Sequence, residues 1–238
     1  MKTKTWRTAS RSFLVVGSLL VASAAVVPSA TAAPRWLRLS WTQSPSTTVT
    51  IAWSDDSDGA SQAEIRLPGG TATATAGTSE DTQSGTLGVT YHATFTGLTP
   101  STAYEYRVQS AGSWSTWYTT RTAPTPGSCE PFTFVSVGDG RGQEIPVLGY
   151  TQSQQWPGVM SLIAAENPLF VIHSGDYVYD GDVEEQWETE LDDLMTISAL
   201  SPFLLSQGNH DDGPGEGPTA NYNKLFVYST SNPDSTED

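Results

Sequence analysis

Three apolar runs of strand length each end in a glycine followed by an oxygen-bearing residue. No other feature constrains the fold as much. Phe132–Val137 runs into Gly138-Asp139-Gly140-Arg141, Leu169–Ser174 into Gly175-Asp176-Tyr177-Val178-Tyr179, and Pro202–Gln207 into Gly208-Asn209-His210-Asp211. Runs of this length and composition suit buried strands of a parallel sheet. A side chain at the C-terminal end of such a strand stands where open α/β sheets bind their ligands. Asp176 follows Asp139 by 37 positions and Asn209 follows Asp176 by 33. A parallel βαβ unit needs about 30 residues or more. The intervening segments Trp156–Asn167 and Val183–Leu200 predict helices. The second is acidic and amphipathic, with Trp187, Leu191, Leu194 and Met195 at helical spacing.

The three turns therefore belong on neighbouring parallel strands. Asp139, Asp176 and Asn209 offer hard oxygen donors, Tyr179 a phenol and His210 a nitrogen. Converging on one sheet edge, they are what a protein needs to build a two-metal hydrolase. Taken singly, each motif has an ordinary reading. Gly-Asp after a strand is common turn chemistry, and Gly-Asn-His-Asp suits an Asx-turn. A lone Tyr179 reads as a half-buried aromatic. The ordered combination at βαβ spacing carries the metal reading. His173 reads as a hydrogen-bonded residue behind the site rather than a ligand, and His92 is assigned no chemistry. Arg141 reads either as a solvated turn residue, slightly preferred, or as a residue facing a substrate phosphate.

Gly-Asp-x-x-Tyr at Gly175–Tyr179, Gly-Asn-His-Asp at Gly208–Asp211 and the earlier Gly138-Asp139 resemble the purple acid phosphatases of the calcineurin-like metallophosphoesterase superfamily. That superfamily usually opens with Asp-x-His; here the third position is Arg141. The purple acid phosphatases use instead a Tyr at the end of the second motif, the place Tyr179 occupies. The resemblance implies an α/β metallophosphoesterase domain of αββα-sandwich type. It assigns Asp139 and Tyr179 to a first metal, Asp176 to a bridge and Asn209 to a second metal. The implied centre is binuclear, Fe(III) plus a divalent Fe, Zn or Mn ion, and its bound hydroxide attacks phosphate monoesters. His210 is expected to protonate the leaving alkoxide or hold the transition state. The family adds three His ligands from Val-x-x-His and Gly-His-x-His, and nothing after Asp211 contains a His. About half of the catalytic domain is thus expected to be missing from these 238 residues, and the chain alone is expected to be nearly inactive, binding metal weakly.

Ahead of these motifs, residues 35–122 hold short alternating runs such as Thr48–Trp53, Ala63–Leu67, Tyr91–Phe95 and Tyr104–Val108, broken by turn signals. That pattern predicts an antiparallel sandwich. Gly97-Leu98-Thr99-Pro100 followed by Tyr104–Val108 resembles fibronectin type III domains, in which the Tyr packs at a strand corner. Purple acid phosphatases often carry such a domain first. Ala123–Ser128, with two prolines, is expected to be a semi-rigid linker. The α/β domain is expected over 131–238, with Gly213–Pro218 as a loop beside the site.

Residues 1–32 read as an export signal: Lys2, Lys4, Arg7 and Arg11, then apolar Phe13–Val27, then Ala30-Thr31-Ala32 as a cleavage site. The apolar stretch is short for a membrane anchor and is broken by Gly17 and Ser18. The expected location is extracellular or periplasmic, without stable membrane insertion after cleavage. Removing those four positive charges takes the net charge from −15 to −19. That sign argues against nucleic acid or anionic membrane as partners, and a small phosphate ester then needs local cations. Cys129 is the only cysteine, so no internal disulfide is available. Two alternatives remain: a catalytically inactive exported binding module, and an Fe/Ca-type alkaline phosphatase or phosphodiesterase.

Overall fold

The computed structural model describes residues 34–56, 60–80, 85–110, 112–145, 149–151, 155–212 and 220–228. They belong to one compact unit, residues 31–238. The export signal at 1–32 and the Gly213–Pro218 loop lie outside the described residues.

The N-terminal part contains two antiparallel sheets. One has the order β1-β2-β6-β5, from β1 (Arg35–Ser40), β2 (Val49–Asp55), β5 (Thr78–Glu80) and β6 (Val89–Phe95). The other has β3 (Gln62–Arg66) between β4 (Thr73–Ala76) and β7 (Ala103–Ser110), and both β8 (Ser113–Trp114) and β9 (Tyr118–Arg121) pair with β7. Alternation places the core. In β7 Tyr104, Tyr106 and Val108 are buried while Glu105 and Arg107 are partly exposed, the period-2 pattern of a strand with one covered face. The inward set meets Leu37, Leu39, Ile51, Trp53 and Ile65 from the other strands. The Tyr104 hydroxyl accepts a hydrogen bond from Thr99 N–H at 2.9 Å, which fixes the corner entering β7. The Pro-rich segment that follows is laid against the sandwich, with Ala123 N–H donating to Pro45 O at 3.0 Å.

The second part is α/β. The strands β10 (Phe134–Val137), β13 (Phe170–His173) and β14 (Phe203–Leu205) form a parallel sheet in that order. Between them come the hairpin β11 (Gln143–Ile145) and β12 (Gly149–Thr151), then α1 (Trp156–Ala165) and α2 (Glu184–Ser198). A short helix, α3 (Asn221–Leu225), follows. Pro157 in the first turn of α1 suits a position with no intrahelical N–H partner. Glu184 and Glu185 in the first turn of α2 suit its dipole. Trp187, Leu191, Leu194 and Ile197 of α2 are buried at helical spacing, and they pack with Met160, Val171, Phe203 and Leu205 in one core. The parallel order matches the βαβ spacing of the three motifs. One helix–sheet layer of the expected αββα arrangement is present.

The two parts are joined through β1. A bulge between Arg35 and Arg38 breaks its pairing with β2, and Trp36 there adopts φ 51°. The bulge redirects the indole out of the sandwich and into the α/β core. Trp36 Nε1 donates to Asp192 Oδ1 at 2.7 Å. In the reverse direction, Ala199 lies in the sandwich core and its carbonyl accepts from Tyr106 Oη at 2.7 Å.

Candidate metal centre

The parallel sheet delivers the three turns to one edge, and backbone hydrogen bonds stitch them together. Asp139 N–H donates to Gly175 O and Arg141 N–H to Asp176 O, each at 3.2 Å. His210 N–H donates to Asp176 Oδ1 at 3.2 Å. Such close approach needs glycine at two points. Gly175 has φ 101°, and a Cβ there would stand 2.7 Å from Gly208 N; a Cβ on Gly208 would stand 2.3 Å from Asp176 N. Asp139 and Asp176 themselves sit at φ 53° and 57°, a left-handed conformation that residues with a Cβ adopt at some cost and that recurs at functional sites.

Two buried side chains hold the loop after Gly175. Asp211 Oδ1 accepts from Tyr177 N–H at 2.7 Å and Val178 N–H at 3.0 Å, while Oδ2 accepts from Gly208 N–H at 2.9 Å. Burial pushes the Asp211 carboxyl above the ordinary range, against the opposing pull of these backbone donors. Gln186, in the first turn of α2, accepts from Tyr179 N–H at 3.1 Å and Asp180 N–H at 2.8 Å. Behind the site His173 is fully buried and its Nδ1 accepts from Gly175 N–H at 3.2 Å. That matches its reading as a hydrogen-bonded residue of the interior.

The five proposed site residues fare differently. The side chain of Asp139 is 76% exposed and that of Asp176 17%. Tyr179 is half-buried, its ring tilted against His210 with centroids 5.2 Å apart. His210 Nδ1 lies 2.5 Å from Tyr179 O. A carbonyl can only accept, so Nδ1 carries the proton and Nε2 is the nitrogen left for chemistry. Asn209 is exposed, and among the described residues no hydrogen bond ties its amide to the other four.

Arg141 corrects the preferred expectation of a solvated turn residue. Its Nη1 donates to Asp139 Oδ1 and to Asp176 Oδ2, both at 2.7 Å. The oxygens of the two carboxylates are therefore no farther apart than twice that distance, and they hold a positive charge between them. This donor set fits one hard cation. Among the described residues no group of three or more His, Cys, Asp and Glu side chains is placed to hold a metal ion, so the two carboxylates alone do not make up a metal site. The clamp by Asp211 and Gln186 has no counterpart in the sequence reading. Asp211 belongs to a recognised motif, but its role depends on backbone donors far away in sequence. Gln186 lies in no motif at all.

Residues 34–122 match the family model for the purple acid phosphatase N-terminal domain, and residues 149–236 match that for the calcineurin-like phosphoesterases. Asp139 lies outside the second match. An uncharacterised protein of Mycobacterium tuberculosis is 26% identical over 200 residues, covering 76% of this chain and 37% of its own length. The probable inactive purple acid phosphatase 27 of Arabidopsis thaliana is 28% identical over 142 residues, covering 55% of this chain and 23% of its own length. Among solved structures, the purple acid phosphatase PPD1 from yellow lupin seeds superposes with a TM-score of 0.67 at 20% identity, covering 84% of this chain and 42% of that one. The chain thus spans less than half the length of each of these proteins.

Proposed function

We infer that this chain, matched over residues 34–122 and 149–236 by the two family models, is a purple acid phosphatase-like calcineurin-type phosphoesterase, and that it carries part of the ligand set of an exported phosphomonoesterase. The observation that carries this reading is the convergence of Asp139 and Asp176, from two parallel strands, on one cationic nitrogen at 2.7 Å. Asp139, Asp176, Tyr179 and Asn209 would hold the metals, with Asp176 as the bridge; a phenol donor favours Fe(III) with a divalent Fe, Zn or Mn partner. When bound, such ions supply a Lewis acid for the phosphoryl oxygens and a nucleophile from water.

The chain's own residues do the rest. Asp211 and Gln186 fix the loop that carries Asp176 and Tyr179. His210, with Nδ1–H tied to Tyr179 O, keeps Nε2 free; as the imidazolium it would give its Nε2 proton to the leaving alkoxide and be left as the neutral ring. Four oxygen donors leave two ions under-coordinated, so the 238 residues alone are expected to bind metal weakly and turn over slowly. The N-terminal part is read as a fibronectin type III-like module on the strength of the Tyr104 corner. Export rests on the charge and apolar pattern of residues 1–32; no helix among the described residues is long and apolar enough to cross a membrane.

The purified chain, loaded with Fe(III) and Zn²⁺, should release phosphate slowly from 4-nitrophenyl phosphate. The rate should vanish on chelation and in Asp176→Asn. A visible charge-transfer band should be lost in Tyr179→Phe. A rate indifferent to chelation and to Asp176→Asn overturns the reading. A second reading, an exported module without catalysis, is favoured by the occupation of both carboxylates by Arg141, and one relative is described as probably inactive. A metal-dependent rate separates the two.

A further inference from the structure

We propose that Arg141 is the resident counter-ion of the Asp139–Asp176 pair, a positioning residue that gathers both carboxylates on one nitrogen and is displaced when a metal ion takes that place. This rests on the metal-centre reading above. Nη1 of a guanidinium carries two hydrogens, and the geometry gives one to each carboxylate at 2.7 Å. Among the described residues the ion pairs of Asp139 and Asp176 are both with Arg141. The two aspartates come from turns after different strands, each at a strained positive φ. Without a cation between them, two like charges are left facing each other on converging turns.

Arg141 cannot relieve competition by losing its proton, because a guanidinium stays charged. A metal ion bound by the same two oxygens therefore has to move it bodily. The structure gives the side chain room to leave. It is 28% exposed, whereas its backbone is held by the bond from Arg141 N–H to Asp176 O. The guanidinium can swing out while its Cα stays at the rim of the site.

The test uses the purified chain, free of metal and then titrated with Mn²⁺ by calorimetry and by electron paramagnetic resonance. Arg141→Gln removes the charge and keeps a donor; Arg141→Lys keeps the charge. In Arg141→Gln, Mn²⁺ should bind roughly two- to fivefold more tightly, the worth of one part-exposed ion pair, and the metal-free protein should melt at a lower temperature than wild type. Arg141→Lys should restore both values toward wild type. Unchanged or weaker Mn²⁺ binding by Arg141→Gln overturns the proposal, as does Arg141→Lys behaving like Arg141→Gln. If wild type and both variants fail to bind Mn²⁺, the metal-centre reading falls and this inference falls with it. Binding of equal strength by all three removes this inference alone.

Discussion

His173 closes the second strand with its ring wedged among Trp156, Tyr177 and Phe203. Its Nδ1 accepts a hydrogen bond, so the folded protein needs this nitrogen unprotonated. Burial pulls the imidazole down from 6.5 to about 4, although Asp139 and Asp176 pull the other way. Between those values the unfolded chain binds a proton that the folded one refuses. This one residue should therefore make stability rise with pH by about 1.4 kcal/mol per unit across that window, with its contribution complete above it and lost as pH falls through it. Asp211 acts in the opposite sense, since burial raises its carboxyl. Urea unfolding should show the stability difference between wild type and His173→Gln growing from pH 4.5 to pH 7; a difference flat in pH would rule the linkage out. The placing of Asp139, Asp176, Tyr179 and Asn209 in the turns that follow three strands was legible in the sequence, because it is a local property. The partners of Asp211 and the grip of Arg141 were not, because they depend on how close three turns come once the sheet has formed.

At the scale of elements, periodicity announced most of what forms. The buried positions of α2 follow the 3.6-residue repeat, and Met195, which was read with them, packs instead against the sandwich core. The bulge in β1 had no such signal. Only the folded neighbour shows why Trp36 turns away at φ 51° to be buried beside α2. A residue of this size in the left-handed region is strained, at a cost of about 1–3 kcal/mol, so the indole's packing and its 2.7 Å bond to Asp192 must outweigh that. Trp36→Ala should lower stability by about 3–5 kcal/mol, measured by urea unfolding with tryptophan-independent circular dichroism. A loss below about 1 kcal/mol would mean that the bulge does not anchor one part to the other.

At the scale of the molecule, the described residues cover the parallel sheet with helices on one face only. Val171 and His173 of the middle strand and Phe203 and Leu205 of β14 are buried against the helices. The alternate positions Phe134, Ser136, Ile172 and Leu204 point the other way, and Phe134 is 51% exposed. Parallel sheets are ordinarily covered on both faces. The open face here is patched by aromatic contact within the chain: Phe170 stacks on Phe134 at 5.3 Å and meets the edge of Trp41 at 5.5 Å. Beside them runs a groove of about 360 Å³, lined in part by Trp41, Pro124, Phe132 and Leu204. Apolar composition alone could not tell the two faces apart, since all three runs read as strands buried on both sides. Stability measurements can. Phe203→Ala removes a ring packed from all sides and should cost about 3–5 kcal/mol. Phe134→Ser removes a ring already half in water, with little hydrophobic stabilisation to lose, and should cost less than about 1 kcal/mol. Similar costs for the two substitutions would show that the outer face is as closely packed in solution as the inner one, and the one-sided sheet would have to be abandoned.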